Sequence, residues 1–273
     1  MVSRISEVFA RAKAGDRAVL VAYLPVGYPT VEMSIEAMRT VVEAGADIVE
    51  VGIPYSDPLM DGPVIQNAAT VALARGVRLA DTFRAVEAVT KAGGVAAPMT
   101  YWNPVLRYGP ARFAADLAAA GGAGLITPDL TPDEADTWRA AAAQHDIDPI
   151  FLIAPSSTSE RLAMTAEACT GFVYVASTMG VTGARAAVGE GARVLIERAR
   201  ALTDRPLAVG LGVSTGAQAA ELASYADGVI VGSALVTCLT GAEEADDPAQ
   251  QSAALDRLGE LTRELAAGVR GQA

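Results

Sequence analysis

Two carboxylates, Glu50 and Asp61, are the residues best placed to do chemistry in this sequence. Glu50 lies within the apolar run DIVEVG at residues 47–52, and an ionised Glu is rarely buried without a partner or a task. The strand period of two puts Glu50 on the same side as Ile48 and Gly52, so it faces either a packed core or a cavity. Asp61 follows in a loop rich in Pro, Gly, Ser and Asp. A strand Glu with a nearby loop Asp indicates an acid/base pair.

Each of these carboxylates also has a purely structural interpretation. Asp57 in SDP and Asp61 in DGPV are suited to turns and helix caps, with Pro63 near the first helical position. Glu50 is able to form a structural ion pair with an Arg. The residues alone leave these alternatives open.

The rest of the residue inventory limits the chemistry. His145 is the only histidine, which excludes His-dependent triads and multi-His metal sites, and we predict no metal. Lys13 and Lys91 both lie in helical patterns, so no lysine is placed for a Schiff base or for covalently held pyridoxal phosphate. Cys169 and Cys238 have neither metal nor redox spacing. Acid/base chemistry therefore falls to Asp, Glu or Tyr, and we expect no cofactor in this chain.

Composition narrows the class of protein. A hydrophobic content of 51% supports a large core, and no linker divides the 273 residues, so we predict one domain spanning residues 1–273. A net charge of -11 argues against a nucleic-acid partner. The apolar runs are short and interrupted by charge, which predicts no membrane span. The N-terminal segment has no signal-peptide core, so a cytoplasmic location is expected.

Short β-branched runs alternate with longer helical patterns along the chain, which is typical of βα units and a parallel sheet. We count eight runs, near residues 20, 50, 98, 125, 152, 174, 208 and 230, with helical patterns at 31–44, 110–120, 133–144 and 217–224. These predict a single-domain (β/α)8 TIM barrel with an extra N-terminal helix and a short helix after the eighth strand. A doubly wound sheet is the alternative, but no GxGxxG turn follows the first strand.

Glycine-rich turns follow the last three predicted strands. They are GVTG at 180–183, GLGVS at 210–214 and VGSA at 231–234. Glycine lets backbone N–H groups approach a ligand closely, and a helix N-terminus favours negative charge. Barrels often bind phosphate at this place. Together the three turns predict a phosphate site at the barrel end that also carries Glu50 and Asp61.

These motifs resemble the α subunit of tryptophan synthase. The block VEVGIPYSDPLMDGPVIQNA carries the resemblance, together with YLPVGYPT, MTYWNP, PDLTPDE, GVTG and VGSA, in order over nearly the whole chain. The resemblance implies a carbon–carbon lyase of tryptophan biosynthesis that cleaves indole-3-glycerol phosphate to indole and glyceraldehyde 3-phosphate. The indole ring takes up the electrons, so this reaction needs neither a Schiff base nor a metal.

The resemblance also assigns residue roles. Glu50 would be the general acid/base, and Asp61 would hold the indole N–H and stabilise positive charge on the ring. Residues that match family positions around the indole and glycerol portions are Tyr23, Met99, Tyr101, Ile126, Tyr174 and Ile230. The aliphatic ones among them are equally suited to pack the barrel interior without contacting a substrate. Residues that match the phosphate cradle are Thr182, Gly183, Gly212, Gly232 and Ser233. Many relatives carry an Arg ahead of GVTG, and this chain departs from them near Thr178, which puts in doubt a loop latch that relies on a cation there.

A partner is implied as well. The resemblance points to a β subunit that carries pyridoxal phosphate and docks over the barrel mouth at residues 54–61 and 103–104, in an α2β2 heterotetramer. Asp57 is expected to change conformation on docking. Two other functions stay open: another phosphosugar barrel, such as an isomerase or indole-glycerol-phosphate synthase, and a non-catalytic subunit. The scarcity of Lys counts against the first, and the intact Glu50 and Asp61 count against the second.

Overall fold

Parallel strands and helices alternate along the chain in the computed structural model, which describes residues 3–57, 59–176, 185–210, 212–242 and 247–272. The described residues form nine strand segments: β1 Val19–Pro25, β2 Ile48–Gly52, β3 Val95–Met99, β4 Gly124–Ile126, β5 Asp148–Ile150, β6 Leu152–Ile153, β7 Val173–Ala176, β8 Leu207–Gly210 and β9 Gly228–Val231. Neighbours in the sheet follow chain order, and β1 also pairs with β9.

The nine segments correspond to eight barrel strands, because β5 and β6 are one strand interrupted at Phe151. β5 pairs with β4 and β6 pairs with β7, so the strand continues through the interruption and the barrel closes. The Phe151 N–H donates to the Cys169 sulfur at 3.3 Å, while its carbonyl accepts from Tyr174 N at 3.1 Å. The predicted eight-stranded parallel barrel is confirmed.

Helices cover the outside of the sheet. They are α1 Arg4–Ala14, α2 Val31–Glu43, α3 Pro63–Ala74, α4 Leu79–Lys91, α5 Trp102–Tyr108, α6 Pro110–Ala119, α7 Asp136–Ala143, α8 Ser159–Ala168, α9 Arg185–Arg200, α10 Gly216–Ala223, α11 Ser233–Cys238 and α12 Pro248–Val269. The pattern at 133–144 predicts one helix, but it divides into a 3-10 turn, Pro132–Glu134, and α7. The predicted N-terminal helix is α1, and the predicted short helix after the eighth strand is α11. No helix in the described part of the chain is both long and apolar enough to span a bilayer.

The core has two layers, divided by the alternation of side chains along each strand. Side chains such as Val21, Ile48 and Ile230 fill the barrel interior, whereas Leu20 and Val49 face the surrounding helices. Helix α1 adds Phe9 and its apolar neighbours to the interior cluster, at the end of the barrel where the strands begin. This helix therefore closes the N-terminal end, and the candidate site lies at the opposite end.

Candidate active site

Glu50 occupies the middle of β2 and points into the barrel. In the parallel register it is level with Tyr23 on β1 and Ala97 on β3, so these side chains lie on the same face. Only 1% of Glu50 is exposed, and neither carboxyl oxygen has a hydrogen-bond partner among the described residues. The alternative of a structural ion pair with an Arg is thus not found in the part of the chain that the structure describes.

Burial and electrostatic repulsion keep Glu50 protonated at neutral pH. Desolvation is the larger cause and the negative charge of Asp61 the smaller, and together they raise the pKa of Glu50 from 4.5 to about 8. A neutral carboxyl group without a partner is far less costly to bury than a carboxylate. A pKa close to the working pH lets one group both donate and accept a proton.

Asp61 lies in the loop between β2 and α3, partly buried. Burial raises the pKa of Asp61, and a hydrogen bond from the Tyr101 hydroxyl, 3.4 Å from Oδ2, lowers it. The residue that caps α3 is Gly62, and no side chain caps this helix. The helix-cap interpretation of Asp61 is therefore wrong, whereas Asp57 is exposed and makes a local contact with the Ser56 hydroxyl at 2.6 Å.

Tyr23 and Tyr174 stand beside the two carboxylates. Burial raises the pKa of both phenols well above 10, and the charges of Glu50 and Asp61 raise them further. Both hydroxyls therefore stay protonated over the pH range in which Glu50 titrates. The site groups a protonatable carboxyl, a second carboxylate and neutral tyrosine hydroxyls, which come from different strands and loops.

Two glycines at strand ends make room for these tyrosines. A Cβ at Gly52 would lie 2.5 Å from the Tyr23 hydroxyl, and a Cβ at Gly210 would lie 2.8 Å from the Tyr174 hydroxyl. Both separations are too short for a real side chain, so any larger residue would displace a tyrosine. The sequence patterns alone did not predict this role for either glycine. A glycine at an inward strand position, two residues beyond Glu50, was the available signal for Gly52.

The aliphatic candidates face the barrel interior. Ile126 and Ile230 are 0% and 4% exposed and belong to the inner core, and Met99 packs against it while staying partly exposed. Met99 and Ile126 are the last residues of their strands and Ile230 is the last but one, so all three lie towards the end of the barrel that carries the Asp61 loop. This placement suits a pocket wall, and their contact with a substrate stays a prediction.

The described phosphate candidates lie on two neighbouring turns. Gly212 follows β8 with a φ of +50°, and no described residue lies within 4 Å of the position its Cβ would take. Gly232 is the N-cap residue of α11 and makes no side-chain cap, and Ser233 is the first residue of this helix. A first helical turn has N–H groups without intrahelical partners. Thr182 and Gly183 lie outside the described residues, as does Thr178.

Other features do not compete with this site. A cleft of about 500 Å³ opens near the N-terminal strand ends, beside α1, but its Arg200 and Asp227 pair with each other, and Arg17 pairs with Asp47 at 2.8 Å. In the described ranges, no group of three or more His, Cys, Asp or Glu residues is arranged to hold a metal. The only unpartnered buried carboxyl group with a nearby second carboxylate in these ranges is Glu50.

A closed parallel barrel with surrounding helices and a buried, protonatable Glu in its interior defines the class as a TIM barrel. The family model for the tryptophan synthase alpha chain matches residues 9–269. The chain belongs to this family, and it is a lyase component of the tryptophan synthase complex in tryptophan biosynthesis.

Individual relatives agree in sequence and in fold. The chain is 60% identical over 268 residues to the tryptophan synthase alpha chain of Mycobacterium tuberculosis H37Rv, covering 98% of this chain and 95% of that one. The alpha chain of Nocardia farcinica is also 60% identical, with 98% and 96% covered. A structure of Mycobacterium tuberculosis tryptophan synthase superposes with a TM-score of 0.90 at 59% identity over 99% of each chain. Subunit alpha from Legionella pneumophila gives 0.88 at 31% identity, over 99% of this chain and 100% of that one.

Proposed function

We propose that Glu50 and Asp61 carry out the cleavage of indole-3-glycerol phosphate to indole and glyceraldehyde 3-phosphate. The observation that carries this assignment is the burial of Glu50 without a hydrogen-bond partner among the described residues, with a pKa of about 8. A group in this state is protonated at neutral pH, and its carboxylate is a stronger base than an ordinary carboxylate once it has given up its proton. The reaction needs both properties in sequence.

In the proposed mechanism Glu50 acts twice. Its carboxyl group first donates a proton to C3 of the indole, and the ring nitrogen takes up the positive charge. Asp61 accepts a hydrogen bond from the ring N–H and stabilises this charge. The Glu50 carboxylate then removes the proton of the glycerol hydroxyl next to the ring, so that a carbonyl forms and the carbon–carbon bond breaks. The bonding electrons return to the ring, which leaves as neutral indole, and Glu50 is protonated again.

The remaining residues bind the substrate in this proposal. Met99, Ile126 and Ile230 offer the apolar surface that an indole ring requires, and Tyr23 and Tyr174 lie next to Glu50. The phosphate is held by backbone N–H groups at Gly212 and Gly232, by the Ser233 hydroxyl, and by Thr182 and Gly183. The exposed position of Gly212, with no described residue within 4 Å of where its Cβ would lie, supports this cradle.

The partner in this proposal is a tryptophan synthase β subunit that carries the pyridoxal phosphate, in an α2β2 heterotetramer in the cytoplasm. Leu59, Met60 and Leu106 support a docking surface here, because these large apolar side chains are 79%, 49% and 55% exposed. They lie on the loop before α3 and on α5, which both follow strand ends at the barrel mouth. Exposed apolar side chains on neighbouring segments are typical of a protein interface.

Product analysis tests the assignment of the residues. The chain is incubated with indole-3-glycerol phosphate, alone and with the β subunit, and indole and glyceraldehyde 3-phosphate are quantified. We expect the wild-type chain to form both products and Asp61→Asn to lose most turnover, because a neutral amide does not stabilise a developing cation. Asp256→Asn is the matched control, since Asp256 is exposed on α12. Wild-type turnover in Asp61→Asn would remove Asp61 from the mechanism.

A further inference from the structure

One hydroxyl group ties the Asp61 loop to the barrel. The Tyr101 oxygen accepts hydrogen bonds from the backbone N–H groups of Leu59 and Met60, each at 2.9 Å. The same hydroxyl donates a hydrogen bond to Asp61 Oδ2, with the two oxygens 3.4 Å apart. Two backbone donors occupy the acceptor positions of this hydroxyl, so its single proton is directed at the carboxylate.

Tyr101 is itself fixed in place. It precedes α5 as the N-cap residue, and the first amide of that helix, Trp102 N, donates to Asp129 Oδ1 at 2.8 Å. Its side chain is 5% exposed, and its ring packs on Tyr55 with the centroids 5.2 Å apart. The Trp102–Asp129 contact therefore fixes the backbone next to Tyr101 from outside the loop, and the Tyr101 ring also packs on the first part of the loop through Tyr55.

Few other contacts with described residues hold the loop at positions 59–61. Leu59 is 79% exposed and Met60 is 49% exposed, so burial anchors these side chains weakly. Gln66 Nε2 on α3 donates to the Asp61 backbone carbonyl at 2.8 Å. That contact fixes the backbone, and within the described part of the chain the hydrogen bond to the carboxylate itself comes from Tyr101.

We propose that Tyr101 is a positioning residue, whose hydroxyl holds the loop backbone and aims the Asp61 carboxylate for the reaction. This inference rests on the proposed role of Asp61, and it goes beyond the placement of Tyr101 in the pocket wall. The Asp61 carboxylate has to accept a hydrogen bond from the indole N–H. A fixed orientation strengthens this hydrogen bond, because a displacement by a fraction of its length weakens it steeply.

The hydroxyl also affects the ionisation of Asp61. Among the described residues, the titratable groups that face this carboxylate are Tyr101 from the start of α5, Glu50 from β2, Tyr23 from β1 and Tyr174 from β7. Burial raises the pKa of Asp61 and the Tyr101 hydrogen bond lowers it. Removing the hydroxyl leaves burial unopposed, so the pKa rises further. Asp61 must be ionised to act, and the acid limb of the rate profile then moves to higher pH.

The test compares Tyr101→Phe with Tyr108→Phe in the full chain. Tyr108 is a matched control because it ends α5 and its hydroxyl donates to the Asp116 carboxylate at 2.5 Å. We expect Tyr101→Phe to lower kcat about 10- to 100-fold, the range for loss of a hydrogen bond to a charged group, with a much smaller change in KM. The acid limb of kcat should move to higher pH, and Tyr108→Phe should leave kcat and the limb unchanged.

Hydrogen exchange gives a readout that does not depend on activity. The Leu59 and Met60 amides should exchange faster in Tyr101→Phe and at the wild-type rate in Tyr108→Phe, with thermal unfolding checking that both variants fold. Unchanged kcat, pH limb and amide exchange in a folded Tyr101→Phe would overturn the proposal. If Asp61→Asn is inactive while Tyr101→Phe behaves as wild type, only the positioning role fails. If Asp61→Asn keeps its turnover, the proposed function of Asp61 fails instead.

Discussion

Replacing Glu50 by Gln is expected to make the folded chain more stable while removing most of its activity. Glu50 is buried without a hydrogen-bond partner among the described residues, next to the charge of Asp61. Its ionisation is favourable in the unfolded chain and unfavourable in the folded one. A Gln at this position has a similar shape and never ionises, so it removes this penalty together with the transferable proton.

The pKa of Glu50 sets the size of the effect. A rise from 4.5 to about 8 corresponds to about 5 kcal/mol, since each pKa unit is worth about 1.4 kcal/mol. Because the folded chain binds the proton more tightly, stability is fully retained below pH 4.5 and lost as the pH rises to about 8. Relative to Glu50→Gln, the wild-type chain should therefore lose about 3 kcal/mol by pH 7 and about 5 kcal/mol above pH 8.

Urea unfolding between pH 5 and pH 9 measures this difference. The gap between Glu50→Gln and wild type should widen by about 1.4 kcal/mol per pH unit through the middle of this range and level off above pH 8. Turnover of the same variant should fall about 10²- to 10⁴-fold or more, the usual contribution of a general acid/base, with a smaller effect on substrate binding. Glu260→Gln, an exposed position on α12, should change neither quantity.

Two outcomes would refute this reasoning. A difference in unfolding free energy that does not change with pH would mean that Glu50 ionises as readily in the folded chain as in the unfolded one. Normal turnover in Glu50→Gln would mean that another group transfers the proton.

The other predictions concern the pH profile, the phosphate and the partner. The kcat/KM for indole-3-glycerol phosphate should decline on the alkaline side near pH 8, as Glu50 loses the proton it donates first; a rate that stays level to pH 10 would contradict this order of steps. Gly212→Ala should raise KM about 10-fold or more, because the added methyl group enters space that no described residue occupies, where the phosphate is proposed to bind, and the φ of +50° disfavours a side chain. Affinity for indole, which has no phosphate, should not change in that variant, and equal losses for both ligands would indicate misfolding. Leu106→Asp should leave cleavage by the chain alone unchanged and abolish binding of the β subunit in sedimentation, since Leu106 is exposed on α5; undiminished binding would exclude this part of the surface.

Much of the fold and part of the site could be predicted from the sequence, because both rest on local patterns. Alternation of β-branched runs with helical patterns determines the eight βα units, and the strand period places Glu50 on the inner face with Ile48. The scarcity of Lys and His is a property of composition, so it limits the chemistry before any folding is considered. The order of Glu50 and Asp61 along the chain already places both carboxylates at one end of a parallel barrel.

Tertiary structure decided the properties that depend on residues far apart in the chain. The raised pKa of Glu50 needs the barrel to close around it and needs the Asp61 loop to fold back over the strand end. The Tyr101 hydroxyl meets amides 42 and 41 residues away, a contact that no local pattern encodes. Gly52 and Gly210 have their roles only because tyrosine rings reach across from other strands. Spacing along the chain determines which face a side chain is on, whereas desolvation and cross-strand contact depend on the register and closure of the whole barrel.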